Sequence, residues 1–254
     1  MASKTDKIAV FDSGVGGISV LRELIELMPG EDYLYFGDSA NAPYGNKSTE
    51  EVRRLTLHNA NMLLHRGVKA LVVACNTATS AAINDLRQRY PNTIIVGIEP
   101  ALKPAADRFP KGNIGIMATA VTLREEKLSH LEERFPNARV TKIPAPGLVE
   151  LIEAGKADSP ETKALLGEVL APYVGKLDAL VLGCTHYPFV KDSIAAILGE
   201  QTLLLDGGEG TARQTRRLLE QADLLNNSQG SVTIENSLGT RSLLMLSYTL
   251  LEES

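Results

Sequence analysis

The chain reads as an α/β protein made of two similar lobes, each a parallel sheet flanked by helices, with a site in the cleft between them. Three observations carry this. Short apolar runs alternate with segments of helical periodicity, the pattern of parallel sheets covered on both faces. The pattern restarts about 106 to 109 residues on, so that Ile8 corresponds to Ile114, Leu34 to Val140, Cys75 to Cys184 and Thr93 to Thr202. Small polar residues gather just after the apolar runs, where open parallel sheets bind ligands.

In order, residues 8–11 are a buried strand, ended by the Asp12-Ser13-Gly14-Val15-Gly16-Gly17 loop. Residues 18–28 have apolar residues at helical spacing, stopped by Pro29-Gly30. Residues 33–36 are a second strand, and 37–45 a loop containing Pro43-Tyr44-Gly45. Ser48 to Glu51 has the spacing of a capping box before a helix reaching about Arg66. A strand over 71–74, a helix over 77–90 and a strand over 93–98 complete the first run.

The second run has a strand over 114–117, a helix over 122–135, a strand over 139–143 and a loop at 144–147. Helices over 149–153 and 160–174 follow, then strands over 180–183 and 202–205. Residues 209–222 and 237–251 read as helices that return to the first lobe. The expected division is therefore residues 1–98 with 208–254 as the first lobe and 99–207 as the second.

Composition is that of an ordinary soluble domain, 44% hydrophobic and 22% charged with net charge −5. There is no basic run, so no nucleic acid is expected as partner. No apolar stretch is long enough to cross a bilayer and no secretion signal opens the chain, so the expected location is the cytoplasm with no membrane association. Two cysteines in a reducing compartment favour thiols over a disulfide. Neither belongs to a zinc-type spacing, so no metal is expected.

The two cysteines hold equivalent positions in the repeat. Each ends an apolar run, as Ala74-Cys75-Asn76-Thr77 and Gly183-Cys184-Thr185-His186, ahead of an expected helix. A helix N-terminus favours thiolate, and roughly 2 kcal/mol would bring a thiol from its usual 8.5 to about 7. Two thiols on opposite sides of a carbon suit an inversion: one removes a proton from one face, the other delivers a proton to the opposite face. Asn76, Thr77, Thr185 and backbone N–H groups are candidate donors for substrate carboxylates and the developing carbanion. The plainer readings are two buried cysteines, Asp12 as a helix cap, His186 as a structural histidine, Asp38 as a loop residue and Glu153 as a surface charge.

The segments Phe11 to Gly17, Pro43 to Gly45, Ala74 to Thr79 and Gly183 to Pro188 together resemble the glutamate racemase family, cofactor-independent amino-acid racemases of bacterial cell-wall synthesis. The resemblance implies interconversion of L- and D-glutamate, supplying D-glutamate for peptidoglycan, with no cofactor and with a homodimer as assembly. It implies that Cys75 takes the Cα proton of D-glutamate and Cys184 that of L-glutamate. Asp12 and Ser13 would bind the amino group and carboxylate, with Asp12 assisting near Cys75. Pro43, Tyr44, Gly45, Asn76, Thr77, Thr119, Thr185 and His186 would complete the substrate pocket. His186 would assist Cys184 together with Glu153, or with Glu150 three residues earlier. One departure is that Glu125 and Leu128 stand where the family often has serine and tyrosine.

Competing expectations are an aspartate racemase or related racemase, and a non-enzymatic two-lobed protein that closes on a small ligand. His186 stands where aspartate enzymes typically have an acidic residue. A nucleotide site is disfavoured because the Gly14-Val15-Gly16-Gly17 loop lacks the Walker lysine and the Rossmann spacing. A pyridoxal site is disfavoured because only Lys47 adjoins the four segments.

Overall fold

The computed structural model describes residues 2–124 and 126–252. The elements are β1 (Ile8–Asp12), α1 (Ile18–Leu27), β2 (Asp32–Gly37), α2 (Thr49–Leu64), β3 (Ala70–Val73), α3 (Asn76–Arg89) and β4 (Ile94–Gly97). They continue with α4 (Leu102–Arg108), β5 (Asn113–Ala118), α5 (Ala120–Arg124), α6 (Glu126–Glu133), β6 (Arg139–Pro144), α7 (Leu148–Glu153), α8 (Pro160–Leu170) and β7 (Ala179–Leu182). The chain ends with α9 (Lys191–Leu198), β8 (Leu203–Asp206), α10 (Gly208–Gln221), β9 (Ser231–Asn236) and α11 (Arg241–Glu252).

The strands form two sheets, β4-β3-β1-β2-β9 and β6-β5-β7-β8, with every recorded pairing parallel. Read from the other edge, the second sheet runs β8-β7-β5-β6, the order of β4-β3-β1-β2. The sequence repeat is therefore a repeat of topology, and β9 is the addition that breaks it. In both sheets the strand carrying the cysteine at its end lies beside the first strand of the run, as Ile8 opposite Ala70 and Ile114 opposite Ala179.

Central strands are covered on both faces, which is why they are continuous apolar runs. Val10, Tyr35 and Val72 pack against α1 and α10, while Phe11, Leu34 and Val73 pack against α2 and α3. Met117, Leu180 and Leu182 face α8 and α9, and Ile116, Ala179 and Val181 face α4. The Ser48 side chain accepts the Glu51 N–H at 3.2 Å, the cap its spacing predicts.

Several expectations are corrected. The single helix over 122–135 is two helices, starting at Ala120. Of the two family departures, Glu125 lies outside the described residues and Leu128 is a buried core residue. The 37–45 loop holds a short 3-10 turn at Ser39–Asn41 and leads into a second at Tyr44–Asn46. The region between 98 and 114, given no element above, forms α4. The C-terminal region contains a strand as well as helices: β9 pairs with β2 at the sheet edge. Its alternation is weak because an edge strand buries little, and only Ile234 of its six residues is buried.

A buried ion pair fastens this return. Lys69 Nζ lies 2.5 Å from Glu31 Oε2, and both side chains are fully buried. Lys69 also donates to the Leu224 carbonyl at 2.9 Å, and Glu31 Oε1 accepts the Asn226 N–H at 2.8 Å. Removing one partner strands the other without solvent. Lys69→Ala is expected to lose about 3–5 kcal/mol in urea unfolding. Lys103→Ala, which breaks the exposed Lys103–Asp107 pair, should lose no more than about 1 kcal/mol.

Candidate active site

The carboxyl ends of both sheets face a cavity of about 190 Å³, small beside the roughly 300–1,000 Å³ of drug-sized pockets. Cys75 and Cys184 both line it. So do Ser13, Asn76, Thr77, Thr119, Thr185 and His186, and the Pro43, Tyr44 and Gly45 segment. The two thiols thus share one chamber, from the ends of corresponding strands of the two sheets.

Their surroundings differ. Cys75 is the N-cap of α3: its Sγ accepts the Ala78 N–H at 3.4 Å and lies 3.5 Å from Ser13 Oγ. Burial, and after it the negative charge of Asp12, push the Cys75 thiol up to about 12, although the Ala78 amide and Ser13 pull the other way. The expected lowering by the helix terminus is therefore overturned, because desolvation of the thiolate outweighs one turn of backbone dipoles. Cys184 caps no helix. It is followed by a short 3-10 turn, Tyr187–Val190, and α9 begins only at Lys191.

Cys184 has His186 instead. His186 Nδ1 lies 3.7 Å from Cys184 Sγ and Nε2 lies 2.6 Å from Glu153 Oε1. Burial by itself would lower the His186 pKa, but the bonds to Cys184 and Glu153 prevail and hold it well above its usual value. The ring can thus present an N–H to sulfur on one side and to carboxylate on the other.

Asp12 and Glu153 stand behind the cavity wall. Asp12 is fully buried, and its carboxyl accepts the Gly14 N–H at 2.9 Å and the Thr185 hydroxyl at 3.0 Å. It does not cap α1, whose N-cap is Gly17. Burial raises the Asp12 pKa against the opposing pull of His186 and the Gly14 amide. Glu153 Oε1 accepts the Val15 N–H at 2.8 Å as well as contacting His186, so it joins the β1 loop to the second sheet's site. Glu150 points elsewhere: it lines the cavity and accepts Asn46 Nδ2 at 2.8 Å. Ser19 adds another tie, donating to the Thr185 carbonyl at 2.8 Å.

Thr77, Thr119 and Thr122 form a ring of hydroxyls, 3.1 to 3.2 Å apart, between the sheets. The Tyr44 ring is buried, and its hydroxyl donates inward to Asp38. Sequence reasoning missed the wall formed by Ala145, Pro146, Gly147 and Val149. The signal there is the Pro-Ala-Pro-Gly loop that follows the mixed strand β6. Among the described residues no group of three His, Cys, Asp or Glu could hold a metal, and no helix is long and apolar enough to cross a membrane.

Two parallel-sheet units each bring one thiol to a small chamber, an arrangement suited to an enzyme that moves a proton at carbon. The chain belongs to the Asp/Glu/Hydantoin racemase family, whose model matches residues 8–215. It is 50% identical to a glutamate racemase of Clostridium kluyveri, with 100% of both chains covered. A glutamate racemase of Thermus thermophilus in complex with β-chloro-D-alanine superposes with TM-score 0.82 at 38% identity, covering 99% of this chain and 94% of that one. A Francisella tularensis glutamate racemase in complex with D-glutamate gives TM-score 0.86 at 28% identity, covering 99% and 95%.

Proposed function

We propose that this chain is a glutamate racemase that inverts Cα with Cys75 and Cys184 as its two proton-transfer groups, and that it supplies D-glutamate for peptidoglycan. The observation that carries this reading is that both sulfurs line one small chamber with hydroxyl and amide donors around them. From D-glutamate, the Cys75 thiolate takes the Cα proton; the C–H bond breaks and an S–H bond forms. The carbanion is held by the donors around its carboxylate. Cys184 then gives its proton to the opposite face, leaving L-glutamate and a Cys184 thiolate. His186, oriented by Glu153, donates to the sulfur that has lost its proton. From L-glutamate the same steps run backwards. Ser13, Asn76, Thr77, Thr119 and Thr185 hold the substrate, and Asp12 acts from behind through Thr185 and the Gly14 amide.

The same proposal takes residues 1–98 with 208–254 and residues 99–207 as the two bodies that close on substrate, in a cytoplasmic homodimer. Sedimentation measures the dimer. The activity is tested by circular dichroism on L-glutamate and on L-aspartate without added cofactor. Loss of signal with glutamate alone supports the reading. Loss with aspartate alone points to the neighbouring specificity, and binding without turnover to a non-enzymatic protein.

A pH prediction follows from proton counting. The form competent for D-glutamate has Cys75 as thiolate and Cys184 as thiol; the form competent for L-glutamate is the reverse. The two hold the same number of protons, so both directions share one set of macroscopic pKa values. Once corrected for titration of the substrate ammonium, kcat/KM should give superimposed profiles. Activity is lost at alkaline pH, where the second thiol loses the proton that must be delivered and His186 the proton that supports a Cys184 thiolate. Burial holds Cys75 high, so that limb should lie above the ordinary thiol value of about 8.5. An alkaline fall centred below that value would contradict the assignment.

A further inference from the structure

Asp38 is an acidic residue at the end of a central strand that the reaction above leaves without a role. It follows β2, is 2% exposed, and lines no part of the cavity. Its backbone N–H donates to the Asp12 carbonyl at 2.9 Å, which places it beside the catalytic loop. Its side chain is met by neutral donors: the Tyr44 hydroxyl at 2.7 Å, Asn59 Nδ2 at 2.9 Å, and Asn41 Nδ2 at 3.0 Å. Asn59 is itself buried, on the inner face of α2.

A buried carboxyl surrounded by neutral groups is a costly way to stabilise a core, and an apolar residue of similar size would often serve stability better. What this group does hold is Tyr44. The Tyr44 ring is buried and packs tilted against Phe11 at 6.4 Å between centroids, and its hydroxyl is tied to Asp38 and, at 3.3 Å, to Asn59. Tyr44 and Gly45 both line the cavity. Gly45 is pressed so close to Thr119 that a Cβ there would lie 2.8 Å from the Thr119 side chain.

We propose that Asp38 is a positioning residue for substrate binding: with Asn59 it anchors the Tyr44 hydroxyl and so fixes where the Tyr44–Gly45 backbone meets the substrate. This rests on the racemase reading, and it assigns Tyr44 an inward-facing hydroxyl and an outward-facing main chain. Asp38 touches neither sulfur nor substrate, so its loss acts on binding more than on proton transfer.

The test measures KM and kcat in both directions with whichever of glutamate or aspartate the native chain racemises. Tyr44→Phe and Asp38→Leu are each expected to raise KM about tenfold, with kcat within about threefold of native. Asp38→Asn keeps an oxygen for the Tyr44 hydroxyl and should stay within about threefold of the native KM. The Asp38→Leu/Tyr44→Phe double variant should be no worse than the worse single one, because both remove the same bond. If Asp38→Leu fails to fold, Tyr44→Phe, which loses only a hydroxyl, and Asp38→Asn still decide the matter. An unchanged KM in Tyr44→Phe, a rise in KM as large in Asp38→Asn as in Asp38→Leu, or additive losses in the double variant would overturn the proposal. The native rate reports on the racemase reading, and only the variant ratios report on Asp38.

Discussion

Cys75→Ser and Cys184→Ser each racemise glutamate about a thousandfold more slowly than the native chain, yet they differ in where the loss falls. General acid–base groups contribute roughly 10²–10⁴-fold, and a complete turnover uses both sulfurs. The two enantiomers are equal in free energy, so a variant must lose the same kcat/KM in both directions, and rates alone cannot tell the sulfurs apart. Isotope effects can. In Cys75→Ser the proton transfer on the D face becomes limiting. Glutamate deuterated at Cα should then show a large isotope effect from the D enantiomer and a small one from the L enantiomer, whose deuterium leaves at the unaltered Cys184. Cys184→Ser should show the mirror pattern. Equal isotope effects in both directions for both variants, or near-native rates in either, would remove the sulfurs from the reaction.

Gly16→Ala should lower kcat/KM by about a hundredfold or more while the protein stays folded. The position does not require the left-handed conformation, so alanine meets no backbone strain. The obstacle lies across the cleft: a Cβ at Gly16 would stand 2.4 Å from His186 Nδ1 and 2.6 Å from Thr185 Oγ1. Both belong to a buried segment packed beside Cys184, so the two sheet units must separate or His186 must leave its place. A displacement near 1 Å at reacting groups costs on the order of 10²-fold. Gly167→Ala is the matched control, a helical glycine with nothing within 4 Å of the added carbon. It should keep native rates and gain up to about 1 kcal/mol in stability. Melting curves and kinetics on the same samples check both. A native rate in Gly16→Ala would show that the β1 loop does not set the geometry of the second thiol.

The strands that reach the chamber were legible because a strand buried on both faces must be an apolar run, whatever surrounds it. The pairing of Cys75 with Cys184 was legible for a different reason: the chain repeats its own topology, so corresponding positions end in corresponding places. β9 was not, since an edge strand with one buried residue leaves almost no periodic trace. The wall at Ala145 to Val149 was not, because a loop's direction depends on the helices it joins.

What the sequence determined alone is what local rules and internal repetition control: the alternating elements, the capped helix at Ser48, and two sulfurs at equivalent strand ends. Tertiary structure decided the side-chain partners: Cys75 capping α3 while Cys184 turns to His186, Asp12 behind the wall, Glu153 rather than Glu150 beside His186, and Tyr44 facing Asp38. These pairs join residues from 2 to 173 positions apart in the chain. The pair Asp12–Thr185 arises only when the two sheets pack against each other, and the others depend on burial and on where each lobe's own loops and helices settle, which no local rule gives.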